Sequence, residues 1–227
     1  YPVYLNGVGY DRIQDAIDAS VGGEVITIAD GTYPEVLKVT GGKNLTIQPQ
    51  EGAKVTIGGV DHQSNGTAST VVFNDITFDN SIQTAGWFTG TAQNIKPCVG
   101  AWGGNLSFND CTFNVAGTSG AETGVMTWWT TEQGSLSFNE CTFNGIENHA
   151  SARAMQIYGK VNLTVDKCTF NTSYRYSLKY VGAEGTEAVL TNNVVNNAQY
   201  MVEIGASAYP GNAYEVTISG SVLGEGI

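Results

Sequence analysis

Three of the ten basic residues in this 227-residue chain, Arg153, Arg175 and Lys179, fall in one stretch beside Tyr174 and Tyr176, with Glu203 downstream. Cations at that density can hold an acidic sugar or neutralise a carboxylate, and an Arg or Lys next to an acid can abstract a proton in an elimination. Arg153, Arg175, Lys179 and Glu203 are therefore the candidate catalytic residues, with Glu132 as a further acid. Taken singly, each also reads as a solvated charge or a surface ion pair, an interaction worth little by itself. A second set is aromatic and polar: Trp102, Trp129 and Tyr158 alongside Thr127, Gln156, Lys179 and Glu203. Rigid rings match the apolar C–H faces of sugars while polar neighbours bind hydroxyls, which makes these the candidate ligand-binding residues. His62 and His149 stand among turn residues and read as surface side chains rather than as bases.

What must position these residues is a repeat. The phrase apolar-x-apolar-Asn-x-Cys-Thr-Phe-Asn recurs as Leu106 to Asn114, Leu136 to Asn144 and Leu163 to Asn171, with an earlier copy at Val71 to Asp79 and weaker ones at 190–196 and 216–222. Each copy alternates with period two, turns a polar corner and continues into a second short strand. One such unit cannot bury its own apolar side, whereas stacked copies can, which is the logic of a solenoid. Phe78, Phe113, Phe143 and Phe170 then form an interior aromatic column, and Cys111, Cys141 and Cys168 substitute for an aliphatic residue as buried free thiols. The asparagines flanking each corner are expected to satisfy or bend the turn backbone. A third strand per coil comprises 99–102, 126–129, 155–158, 178–181 and 202–205. With alternate residues inward, its outer side carries a polar row of Gly100, Thr127, Gln156, Lys179 and Glu203 beside the rings of Trp102, Trp129 and Tyr158.

Upstream, Ile13, Ala16 and Ile17 lie on one helical face that ends at Gly22-Gly23, predicting a short amphipathic helix that caps the stack. The succession of that helix, "GGEVITIADGTYPEVLKV", "KNLTIQPQEGAKVTIGG" and stacked coils resembles the pectin-lyase-like superfamily. The resemblance spans essentially the whole chain and implies an all-β fold: a single right-handed parallel β-helix over 1–227, with a cap over 1–24 and coils over 25–227. It does not fix the chemistry, because one fold hosts many functions. The paired Asp and Arg motifs of pectin methylesterases are not found, and Tyr158-Gly159-Lys160-Val161-Asn162 has Asn where an Asp-bearing motif would fall. No clustered Asp constellation of the polygalacturonase kind follows residue 79. Calcium would enter only with a lyase chemistry, and otherwise no cofactor or metal is expected.

Twenty-one acidic residues against ten basic ones give a net charge of −11, which sets the chain against nucleic acid. No run is apolar enough for a membrane span. Tyr1 in place of an initiator Met, and repeat strands that continue to residue 222, lead to the expectation of one piece of a longer protein, either monomeric or associating edge to edge. The reading that follows is a secreted or cell-surface module binding a glycan or host-surface ligand without catalysis. A lyase or other enzyme acting on uronic-acid glycans, and an architectural stalk, are the alternatives.

Overall fold

The computed structural model describes residues 1–84, 87, 96–116, 123–127, 132–145, 153–172, 175–196, 198–206 and 211–224. It is a parallel β-solenoid of about six turns with one α-helix. Three faces run the length of the stack. The first comprises Glu24–Ile28, Asn44–Pro49, Thr70–Asn74, Gly104–Asn109, Gly134–Asn139, Val161–Asp166, Glu187–Thr191 and Glu215–Ser219, all in parallel register. Beyond a corner, the third face begins in the strand Val55–Gln63 and continues through Ile76–Asp79, Thr112–Val115, Thr142–Gly145, Thr169–Asn171, Val194–Val195 and Val222–Leu223. The second face carries Val99–Trp102, Thr123–Met126, Arg153–Gly159, Tyr176–Gly182 and Tyr200–Ile204. The long strands Gly31–Thr40 and Val55–Gln63 bend from one face to another and so join the second and third.

The core follows from the alternation. Phe78, Phe113, Phe143 and Phe170 stack with ring centroids 4.6–5.2 Å apart, as the repeat predicts. A second column, Phe73, Phe108 and Phe138, stacks at 5.0 Å on the first face, and the two columns meet edge to face. The spacing is that of neighbouring strands, so each ring lies over its copy in the next coil. Burying each contributes roughly 2–3 kcal/mol. Cys111, Cys141 and Cys168 lie buried and free beside them, and Cys98 is buried separately, its Sγ 3.5 Å from the Asn114 carbonyl.

Asparagine side chains run along the outside of the third face, Asn196 donating to Asn171, Asn171 to Asn144 and Asn144 to Asn114 at 2.8–3.2 Å. The bend between the first and third faces falls one residue beyond the first asparagine set: Asp75, Asp110, Glu140, Lys167 and Asn192 all hold φ between 51° and 56°.

The N-terminal end is built differently. Val3–Leu5 and Val8–Tyr10 form a hairpin across Asn6-Gly7, both at positive φ as a two-residue turn of this hand requires, and the hairpin runs antiparallel to Glu24–Ile28. The helix Ile13–Ala19 buries Ile13, Ala16 and Ile17 in the core. Glu35 accepts hydrogen bonds from the Ile13 and Gln14 amides, satisfying donors that the helix start leaves open, and the Lys43 ammonium bonds the Ile17 and Ser20 carbonyls at the other end. Among the described residues no helix is long and apolar enough to cross a membrane.

His62 corrects the sequence reading. It lies in the interior column between Val39 and Ala101 and is fully buried, because the strand continues through Gly58-Gly59 instead of turning there. Those glycines answer to crowding: a Cβ at Gly58 would lie 2.7 Å from the Pro34 carbonyl oxygen, and one at Gly59 3.0 Å from that of Cys98. Across the core, Gly104 at φ 76° leaves room for the imidazole, whose Cε1 a Cβ at that position would overlap. Burial lowers the His62 pKa to about 4, with the Gly103 backbone opposing the shift.

Candidate binding site

The outer row of the second face reads Lys38, Asp61, Gly100, Met126, Gln156, Lys179 and Glu203 in register. Met126, not Thr127, pairs with Gln156, so the segment is displaced by one residue from the sequence alignment. More residues separate Met126 from Gly134 than separate Gly100 from Gly104 or Gln156 from Val161, and counting back from the repeated phrase therefore misplaces the segment. A one-residue slip turns a side chain to the opposite face. Thr127 is accordingly buried, and its hydroxyl both donates to the Tyr158 carbonyl and accepts from the Tyr158 amide at 2.8 Å. Its role is to tie two coils together.

Toward the N-terminal coils this face is covered. Trp87, buried, packs with Val36 and with the half-buried Trp102, and its indole donates to Gln83 at 3.2 Å. Gln83 in turn donates to the Gly58 and Pro97 carbonyls. Glycine at position 100 is what lets the rings lie flat there, since a Cβ would stand 2.8 Å from Trp102. Asp61, on the outer row, is fully buried as well. Trp129, Tyr174 and His149 lie outside the described residues.

Toward the C-terminal coils the face carries a connected polar cluster. Arg153 is buried, contrary to a solvated charge, and donates through Nη1 to the Tyr176 hydroxyl at 2.7 Å and to Gln156 Oε1 at 2.9 Å. Lys179 Nζ bonds Glu203 Oε1 at 2.7 Å, their side chains 15% and 33% exposed. Lys179 also stands 5.9 Å from the centre of the Tyr176 ring and the Arg153 guanidinium 5.4 Å from it, so both cations lie near that ring. Burial alone would lower the Lys179 pKa; the hydrogen bond to Glu203, together with the charges of Tyr158, Glu203 and Tyr176, outweighs it and leaves it raised. Tyr158 is half-buried, and Arg175, exposed, lies 5.7 Å over the exposed ring of Tyr200.

Arg153, Gln156, Lys179 and Glu203 thus meet in one cluster, with Tyr158 on the same strand as Gln156 and Arg175 at the rim. Trp102 lies apart under the Trp87 cover. Tyr176, which the sequence shows only as part of a ring-rich stretch, is the hub, and Tyr200 extends the surface. A period-two reading places Arg153 inward with Met155. It faces outward because Ala154 and Met155 are both in the core, an irregularity at the strand entry that alternation does not foresee.

No protein-family model matches the sequence, and no curated protein does. Among solved structures, the crystal structure of the pectin methylesterase from Aspergillus niger in deglycosylated form is similar over 94% of this chain and 82% of that one, at 15% identity and a TM-score of 0.47. A likeness at that level says nothing of substrate or chemistry.

Proposed function

We propose that this chain is a carbohydrate-binding β-helix module of the cell exterior, holding a glycan on the outer side of its second face without turning it over. In this reading the solenoid is right-handed and the helix Ile13–Ala19 closes its N-terminal end. Cell-wall and matrix glycans lie outside the cell, which is where such a module would meet them. The observation that carries the reading is the cluster itself: Gln156, Lys179 and Glu203 in register on rigid strands, with the half-buried Tyr158 and the exposed Tyr200 beside them and the buried Tyr176 beneath. Rings for stacking and mixed donors and acceptors for hydroxyls are what a sugar needs.

The state of Lys179 favours binding over elimination. A lysine that abstracts protons must spend time neutral, and enzymes arrange this by lowering its pKa. Here Glu203 holds it as a cation.

Glycan-array and calorimetric binding, followed by Tyr158→Ala and Gln156→Ala, test the reading. Each substitution is expected to weaken binding about tenfold, in line with loss of one contact in a small site. Tyr158→Ala should keep thermal stability near wild type, whereas Gln156→Ala also removes an acceptor from the buried Arg153 and should cost about 1–3 kcal/mol of stability. New reducing ends or unsaturated products from uronic-acid polymers would overturn the absence of turnover. Binding indifferent to both substitutions would remove the site.

A further inference from the structure

We propose that the face selects neutral over acidic sugars, and that Glu203 is the residue that sets this preference; the proposal rests on the glycan-binding reading above. The cations that would attract an acidic ligand are already occupied from within. Lys179 is bonded to Glu203 at 2.7 Å, with both side chains largely withdrawn from water. Arg153 is buried against the Tyr176 hydroxyl and the Gln156 carbonyl oxygen. At the other end of the row Lys38 stands in register beside Asp61. Each lysine on this row therefore has a carboxylate beside it in the next strand.

An incoming uronate or sulfate would have to displace Glu203 and leave a partly buried carboxylate without its cation, a penalty that separates the wrong ligand from the right one. The net charge of −11 adds a long-range repulsion for any polyanion. A neutral hydroxyl pays neither cost: it can accept from the ammonium and donate to the carboxylate while the pair stays closed. Arg175, exposed over Tyr200, is the cation of this region that a ligand reaches most directly, and it lies at the rim.

The test is calorimetry of wild type, Glu203→Gln and the double variant Glu203→Gln/Lys179→Met against three neutral probes (cellohexaose, xylohexaose and mannohexaose) and two acidic ones (hexagalacturonate and a sulfated galactan hexasaccharide, which carries no uronate). Thermal melts with inorganic sulfate accompany it at low and high ionic strength. Wild type is expected to bind a neutral probe and neither acidic one. Glu203→Gln is expected to gain about tenfold for acidic probes and a sulfate-dependent rise in Tm, both lost again in the double variant. Wild type binding an acidic probe as tightly as a neutral one would overturn the proposal, as would a Glu203→Gln protein that folds and gains nothing. Separate uronate and sulfate arms show which acid the freed lysine accepts. Silence toward every sugar overturns the glycan-binding reading and this preference with it. Sulfate melts without a gain in Glu203→Gln overturn the assignment to Glu203 while leaving glycan binding standing.

Discussion

At His62 a titratable ring is enclosed between Val39 and Ala101, and protonating it would place a charge in an apolar column. The ordinary imidazole pKa of 6.5 falls to about 4 through burial. Below pH 6.5 the unfolded chain takes up a proton that the folded one refuses, so stability drops as pH falls from 6.5 toward 4 and levels off below that. The full shift corresponds to about 3 kcal/mol, most of it lost by pH 4.5. Urea unfolding at pH 7 and pH 5 should show wild type losing about 2 kcal/mol more than His62→Leu does. Equal losses in the two proteins would show that the ring does not titrate this way. Lys179 is shifted in the opposite sense, upward, because it is hydrogen-bonded to a carboxylate instead of being enclosed among apolar side chains.

Corners and strands are the next scale, and there the left-handed column is the most demanding feature. Asp75, Asp110, Glu140 and Lys167 occupy a conformation that costs an ordinary residue roughly 1–2 kcal/mol and a β-branched one at least as much. Glycine, which replaces them at position 220 with φ 64°, does so without that strain. Glu140→Gly is therefore expected to be neutral or stabilising and Glu140→Val to cost about 1–2 kcal/mol, read from chemical denaturation. A valine variant as stable as wild type would show that the corner relaxes.

The sequence makes the repeat legible because Phe, Cys and Asn recur at fixed offsets within each phrase. The column Phe78 to Phe170 and the burial of the cysteines follow directly. What escapes notice depends on corners of unequal length and on backbone crowding. Thr127 is misplaced because more residues separate it from the next described strand than in neighbouring coils, and His62 because a Gly-Gly pair that serves close approach has the same letters as one that turns. Arg153 is legible as a residue of the site but not as a buried one, since two consecutive inward residues, Ala154 and Met155, break the alternation that would have placed it.

Over the whole molecule, stability is a sum over neighbouring coils, because each strand meets only the one before and the one after. The equivalent interior positions Phe108, Phe138, Val165 and Leu190 are sealed, while Ile218 in the next coil is 44% exposed, and Val222 and Leu223 are exposed as well. The N-terminal end differs: there Ile26 and Ile28 are sealed, on a strand paired with the antiparallel hairpin. Opening the C-terminal coil breaks one interface, whereas opening a central coil breaks two and exposes stacked rings. Free energies of local opening should accordingly rise from Ile218 through Leu190 to Val165 and Phe138. In this 227-residue chain, native-state hydrogen exchange is expected to place the Ile218 and Val222 amides among the fastest strand amides. Those of Phe138 and Val165 should exchange only at the rate of global unfolding. The Lys179–Glu203 pair sits between these extremes, on the last two strands of the second face. Its hydrogen bond should therefore be lost before the core opens, and a bound ligand spanning Gln156 to Glu203 should slow exchange in Tyr200–Ile204 more than in any central strand. Uniform protection along the solenoid, or ligand protection confined to central strands, would show that the molecule unfolds as one block and that the cluster is not where the ligand binds.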